Sequence, residues 1–317
     1  MKSLAKHFLL TLLLATAPFF SLAQEAKKAQ AKKPAEVYTK AEDAGPDFKI
    51  QGDYSGTVEG KGKLGAQVVA KGDGKFEVYI LEGGLPGDGW DGKTRVKVSA
   101  KTADDKVDFS GAKWQGNIES NRLVGKNPSG ENFTLTRVER KSPTMGAKPP
   151  AGAVVLFDGS SPEHWSNGKI TEEVLLLRGT QSKKPFATGK FHFEFRTPFQ
   201  PKAGGQGRGN SGVYILGNEI QVLDSFGLTG EQNECGGLYG HAKPLVNMCL
   251  PPLTWQTFDI ETAPAGEDAI SYTVIHNGVK VHDGVVIKGN AKKGQSILLQ
   301  DHGNPVAYRN IWVLEAK

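Results

Sequence analysis

Apolar and polar residues alternate along this chain in short runs of period two, with hardly a helical spacing anywhere. Between 48 and 140, "KFEVYILEG" sets Phe76, Val78 and Ile80 against Glu77 and Tyr79. "TRVKVSAKT" sets Val96 and Val98 against Arg95, Lys97 and Ser99, and "ENFTLTRVER" carries Phe133, Leu135 and Val138 in approximate step. Turn-forming pieces such as "GGLPGDGWDG" separate the runs, so a small antiparallel β domain is predicted over 48–140. "KSPTMGAKPPAG", 141–152, is a Pro/Gly linker and the natural boundary. Over 153–317 the candidate strands are "AVVLFDG", "EVLLLRG", "KFHFEFRTPF", "SGVYILG", "NEIQVLD", "WQTFDIET", "ISYTVIHNGVKVHDG", "SILLQDHG" and "YRNIWVLEA". Within them "VIHNGVKV" reads as a hairpin with a type I′ turn at Asn277-Gly278. The expected fold class is all-β, a β-sandwich or jelly roll preceded by the small β domain.

The first 47 residues break the pattern. "MKSLAKHFLLTLLLATAPFFSLAQ" has a basic start, an apolar run from Phe8 to Phe20 and small residues at Ser21 and Ala23. That is the form of a secretory signal peptide, 1–23, cleaved after Ala23. Residues 24–47 are Ala/Lys-rich without a face to bury, and read as a flexible tether. No later segment is apolar for long enough to span a bilayer. The expected mature protein is exported, periplasmic or extracellular, with no membrane span. The net charge of +5 changes little, because six lysines near the N-terminus face only Glu25 there and the rest is close to neutral. No nucleic-acid surface is expected. Export gives the two cysteines meaning: Cys235 and Cys249 lie in one region and are expected to pair as a disulfide.

The candidate chemistry sits on two strands. "FHFEFRTPF" turns Phe191, Phe193 and Phe195 one way and His192, Glu194 and Arg196 the other. "GQGRGNSGVYILGNEIQVLDSFG" puts Glu219 and Gln221 on one face, with Ile220 and Val222 on the opposite one. Arg208 and Asn210 precede it in a glycine-rich turn, and Asp224 follows it. Glycoside chemistry typically uses two acidic groups flanking the scissile bond. Glu219 with Asp224, or Glu219 with Glu194, could supply them.

The pieces "LFDG...HW" at Leu156 to Trp165, "RGNSGVYILGNEIQVLDSFG", "CGGLYG", "PPLTWQTFDI", "HNGV" and "LQDHGNPVAYRNIW" resemble the 3-keto-disaccharide hydrolase family of bacterial domains. The resemblance runs from Val154 onward. It implies a concanavalin-like jelly roll that acts on a glycoside oxidised at C3. A C3 ketone acidifies the proton on C2, so one base suffices, and the aglycone then leaves from C1 with help from an acid. On this reading Glu219 is the base or a sugar ligand, and Asp224 and His302 are candidates for the acid. Glu194, Arg208, Asn210, Gln221, Gln300 and Arg309 are candidates to hold hydroxyls or the enolate. Tyr239 and Trp255 are candidates to stack on a sugar ring. No cofactor is required, and a divalent metal held by Glu219, Asp224 and His302 is left open. The alternative is a non-catalytic, lectin-like carbohydrate-binding protein. The expected partner in either case is an oligosaccharide or glycoside.

Overall fold

A computed structural model describes residues 36–291 and 293–316. The signal peptide, and the expected tether as far as residue 35, lie outside the described residues. Residues 36–316 belong to one compact unit.

The first part closes into an eight-stranded antiparallel barrel in simple chain order. Its strands are β1 (Gly52–Val58), β2 (Gly62–Gly72), β3 (Lys75–Glu82), β4 (Arg95–Ala103), β5 (Lys106–Gly111), β6 (Trp114–Glu119), β7 (Arg122–Lys126) and β8 (Asn132–Val138). β8 pairs back onto β1, so no edge is left open. The alternating residues fill the barrel: Phe76, Val78, Ile80, Val98, Phe109, Phe133 and Leu135 are all buried. A short helix, α1 (Gly45–Ile50), precedes β1 and starts with proline in its first turn. Before it, Tyr38 exchanges backbone hydrogen bonds with Phe199 at 3.0 and 2.9 Å. The expected tether is therefore tied down at Tyr38, whose ring lies against Phe199, and Phe48 just beyond it packs on the same ring.

The second part is a two-sheet sandwich. Its strands are β9 (Val154–Phe157), β10 (Trp165–Ser166), β11 (Leu176–Leu177), β12 (Thr180–Ser182), β13 (Gly189–Arg196), β14 (Ser211–Ile215), β15 (Asn218–Val222), β16 (Gln256–Pro264), β17 (Ala269–His276), β18 (Val279–Lys288), β19 (Leu298–Leu299) and β20 (Ala307–Glu315). One sheet runs β10-β12-β19-β14-β15; the other runs β11-β20-β13-β16-β17-β18, with β9 on β20. This is the all-β, concanavalin-like sandwich expected. Phe191, Phe193 and Phe195 face Val213, Ile220, Val222 and Leu299 in one core. Each buried aromatic ring contributes about 1.5–3 kcal/mol on leaving water. Asn277 and Gly278 both have positive φ, 51° and 81°, as a type I′ turn demands.

The barrel docks through the outer face of β2 and β3. Val69 and Tyr79 are buried in the sandwich core. Gly227, in the turn after β15, lies against them, and a Cβ there would meet the Tyr79 ring at 3.1 Å, so the bare backbone lets this turn approach the barrel. Arg95 donates to the Gly227 carbonyl and lies 3.8 Å over the Tyr79 ring. Residues 141–147 strap the outside of the seven-stranded sheet: Ser142 Oγ is 2.6 Å from Thr257 Oγ1, and Thr144 donates to Asp259 at 2.6 Å.

Candidate functional site

The site is built on the outer face of the five-stranded sheet. β14 and β15 form a hairpin turned by Leu216 and Gly217, both at positive φ (51° and 83°). The two-residue turn sets the register, so Tyr214 stands opposite Glu219 and Gly212 opposite Gln221. Val213, Ile215, Ile220 and Val222 enter the core, which forces Gly212, Tyr214, Glu219 and Gln221 to the other face. The segment 235–239 runs along the far edge of β15, with Tyr239 N–H donating to Glu219 O at 3.0 Å. β19 flanks β14 on the other side, and Gln300 N–H donates to Gly212 O at 2.9 Å.

Glu219 is the central ionisable group. Tyr214 donates its phenol proton to Glu219 Oε2 at 2.7 Å, and Gln300 Nε2 donates to that phenol oxygen at 3.3 Å. Glu219 Oε1 lies directly over Gly212, where any Cβ would collide with it. Burial raises the Glu219 pKa above the ordinary carboxylate value, while the Tyr214 hydrogen bond and the charge of nearby His302 pull against the rise. A carboxylate kept weakly acidic in this way is suited to accept a proton near neutral pH.

Amides surround it. Gln221 Nε2 donates to Asn210 Oδ1 at 3.2 Å and to Gln206 Oε1 at 3.1 Å. Asn304 Oδ1 accepts from Asn210 N–H at 2.7 Å. Gln221 Oε1 on β15 and Gln300 Oε1 just beyond β19, on either side of Gly212, are buried without a hydrogen-bond partner. A buried orphan acceptor is costly, and a ligand hydroxyl would satisfy it. Tyr239 is 44% exposed at the margin, a surface on which a ring could stack.

The structure thus brings together Glu219, Gln221, Asn210, Gln300, His302 and Tyr239 from the sequence reading. It does not bring in Asp224 or Arg208. Asp224 follows the end of β15 and points inward, where Arg208 Nε donates to its Oδ2 at 2.6 Å. Both side chains are buried, at 0% and 6% exposure, and Arg208 Nη1 reaches Ala70 O of the barrel at 3.5 Å. Arg208, a sequence candidate to hold hydroxyls or the enolate, is instead an internal tie between sandwich and barrel. Glu194 and Arg309 are also elsewhere, paired at 2.6 Å on the outer face of the seven-stranded sheet. There Glu194 accepts from Gly146 N–H of the strap at 2.6 Å, and Trp255 lies 4.0 Å from the Arg309 guanidinium. Period-two alternation assigns a face correctly but does not say which of two sheets carries it.

Cys235 and Cys249 are buried free thiols, so the expected bond is not formed in this structure. Cys249 Sγ is engaged by the carbonyls of Leu223 and Leu250, both at 3.4 Å, with Cys235 beside it. Among the described residues no group of three or more His, Cys, Asp or Glu side chains is placed to hold a metal ion. Nor is any helix among them long and apolar enough to cross a membrane.

Sequence reasoning missed Tyr214, Gly212, Gln206 and Asn304. The first two were findable: reading Leu216-Gly217 as a type I′ turn pairs Tyr214 with Glu219 directly.

Residues 152–314, just over half of the chain, match the 3-keto-alpha-glucoside-1,2-lyase-like domain family. The chain belongs to this family. The family makes the protein a carbohydrate-active one. No curated protein matches the chain. Two solved structures from Parabacteroides distasonis, both provisionally described as glycosyl hydrolases, are similar to it. One is 27% identical, covering 52% of this chain and 84% of its own, with a TM-score of 0.47. The other is 16% identical, covering 52% and 95%, with a TM-score of 0.39.

Proposed function

We propose that the protein cleaves 3-keto-glycosides by removing the proton on C2, with Glu219 as the base. The observation that carries this is Glu219 itself: a carboxylate with a raised pKa, on a rigid sheet, beside two buried amide oxygens without partners. In the reaction the C2–H bond breaks and its proton goes to Glu219. The bonding pair moves toward C3, whose ketone oxygen becomes an enolate oxygen. The C1–O bond to the aglycone then breaks, and the departing oxygen takes a proton from an acid. His302, close enough for its charge to act on Glu219, is the residue assigned to that role. Addition of water to the product completes a net hydrolysis; without it the outcome is a lyase. The amides of Gln221, Asn210 and Gln300 orient the sugar hydroxyls, and Tyr239 stacks on a ring. No metal is required by this sequence of steps.

The family's description as 3-keto-alpha-glucoside-1,2-lyase-like supports the substrate class. One carboxylate base is enough for this route, which agrees with Asp224 being locked in an ion pair. A conventional double displacement would need a second carboxyl group facing Glu219. The test is Glu219→Gln, which removes the charge and keeps the shape. Turnover of a 3-keto-disaccharide is expected to fall by roughly 10²-fold or more, the scale of general base catalysis, with binding retained. Unchanged turnover would remove Glu219 from the mechanism. Sugar binding by a wild type with no turnover would make the protein lectin-like. Export is part of the proposal on the composition of residues 1–23, and a mature N-terminus at Gln24 in secreted material tests it.

A further inference from the structure

Glu219 has two carboxylate oxygens in different surroundings. Oε2 accepts the Tyr214 phenol at 2.7 Å, and that phenol in turn accepts from Gln300 at 3.3 Å. Oε1 has no hydrogen-bond partner among the described residues and lies on the bare Cα face of Gly212, where a Cβ would stand 2.9 Å from Glu219 Cγ. All three supports belong to neighbouring strands in fixed register: Gly212 and Tyr214 on β14, Gln300 just beyond β19. A carboxylate held this way has one oxygen committed and one free.

We propose that Tyr214 is the positioning residue of the site: its phenol fixes Glu219 Oε2 and so presents Oε1, seated over Gly212, to the substrate. This rests on Glu219 being the base, but the positioning can be read without any substrate. Tyr214 is held by both of its neighbours, and its half-buried phenol is pushed well above the ordinary tyrosine pKa by burial and by Glu219. It therefore stays a donor throughout the working pH range and does not compete for the proton. The titratable groups around Glu219 are Tyr214 from β14, His302 from the loop after β19, Tyr239 from the segment beside β15, and Tyr308 from β20, which feels the Glu219 charge. Among the described residues only Tyr214 gives Glu219 a side-chain hydrogen bond. That bond favours the ionised carboxylate, so its removal must raise the Glu219 pKa.

Tyr214→Phe tests the assignment on the full chain. Carbon-13 labelling of glutamate carboxyls, with Glu219→Gln to assign the signal, reads the Glu219 titration directly. The expected result is a titration moved to higher pH in Tyr214→Phe. With a 3-keto-disaccharide, the acid limb of kcat/KM should move up with it, losing about tenfold at a fixed pH on that limb, the scale of one hydrogen bond to a charged group. Most of the loss should fall on kcat rather than KM. Gly212→Ala is the second variant: its methyl displaces Oε1, so kcat should fall while Tyr214 is intact. A Glu219 titration that is unchanged or lower in Tyr214→Phe overturns the proposal. If the titration moves up but the wild type turns over no 3-keto-disaccharide, the positioning stands and the assigned reaction falls.

Discussion

Replacing Asp224 with Asn separates a structural carboxylate from a catalytic one. The sequence places Asp224 among the candidate acids, just after the strand that carries Glu219. The structure ties it to Arg208 at 2.6 Å with neither side chain meaningfully exposed. Arg208 also has a buried Nη2 without a partner, so Asp224 carries most of its compensation. Asn keeps the volume and an acceptor oxygen but removes the charge, leaving a guanidinium buried without a counter-ion. Breaking one side of such a pair costs about 3–5 kcal/mol. With a urea m-value of roughly 3 kcal/mol/M, the unfolding midpoint should fall by about 1–1.7 M. Equilibrium unfolding in urea, followed by tryptophan fluorescence, measures it. Turnover per folded molecule should be retained, because neither group reaches the Glu219 face. The double variant Arg208→Met with Asp224→Leu should recover much of the loss, since an apolar pair of similar volume removes the uncompensated charge. A variant with undiminished stability and abolished turnover would refute this reasoning and return Asp224 to the site.

Other expectations follow from the same geometry. Glu194 is held down to about 2 because nearby His192, 3.8 Å away, and hydrogen bonds from Asn310, Gly146 and Arg309 outweigh the rise caused by burial. Its folded pKa lies below the unfolded one, so its stabilisation is full above about 4.5 and is lost as pH falls toward about 2. At neutral pH that is worth about 3 kcal/mol, and Glu194→Gln should flatten the acid limb of a stability-against-pH curve while lowering stability at pH 7. We propose that Cys235 and Cys249 pair on oxidation despite being free here. Burial pushes the Cys249 thiol up, so the reaction should be slow in the folded protein. Thiol titration after unfolding an oxidised sample should find none free, with a gain of about 3 kcal/mol for a loop of roughly 15 residues; two persistent thiols would dismiss the pairing.

The fold was legible because β alternation is a local signal, and both barrel and sandwich are built from it. Phe191, Phe193 and Phe195 reach the core as their spacing demands. The Glu219–Gln221 face was legible for the same reason. What alternation could not say is which face meets which neighbour. Glu194 and Glu219 both stand on polar faces, yet they belong to different sheets, and the long-range pairings β13-β20 and β14-β19 separate them. Arg208 and Asp224 are close in sequence to the site but leave it, because the chain turns inward beyond β15 and the barrel covers the turn. Tyr214 went unnoticed although its signal was present in the two-residue turn that fixes its partner. The docking of the barrel rests on single contacts such as Tyr79 with Gly227, which carry no periodic signature.

The proposed function stands on one step, removal by Glu219 of the proton on C2 of a 3-keto sugar. Incubation of the protein in D2O with a 3-keto-disaccharide, beside its unoxidised parent, tests it most directly by NMR at C2 and by release of the aglycone. With Glu219 as the base, only the keto-sugar is cleaved, deuterium appears at C2 of recovered material, and both are lost in Glu219→Gln. Cleavage of the parent sugar at a comparable rate, or keto-sugar cleavage that survives in Glu219→Gln, would contradict it.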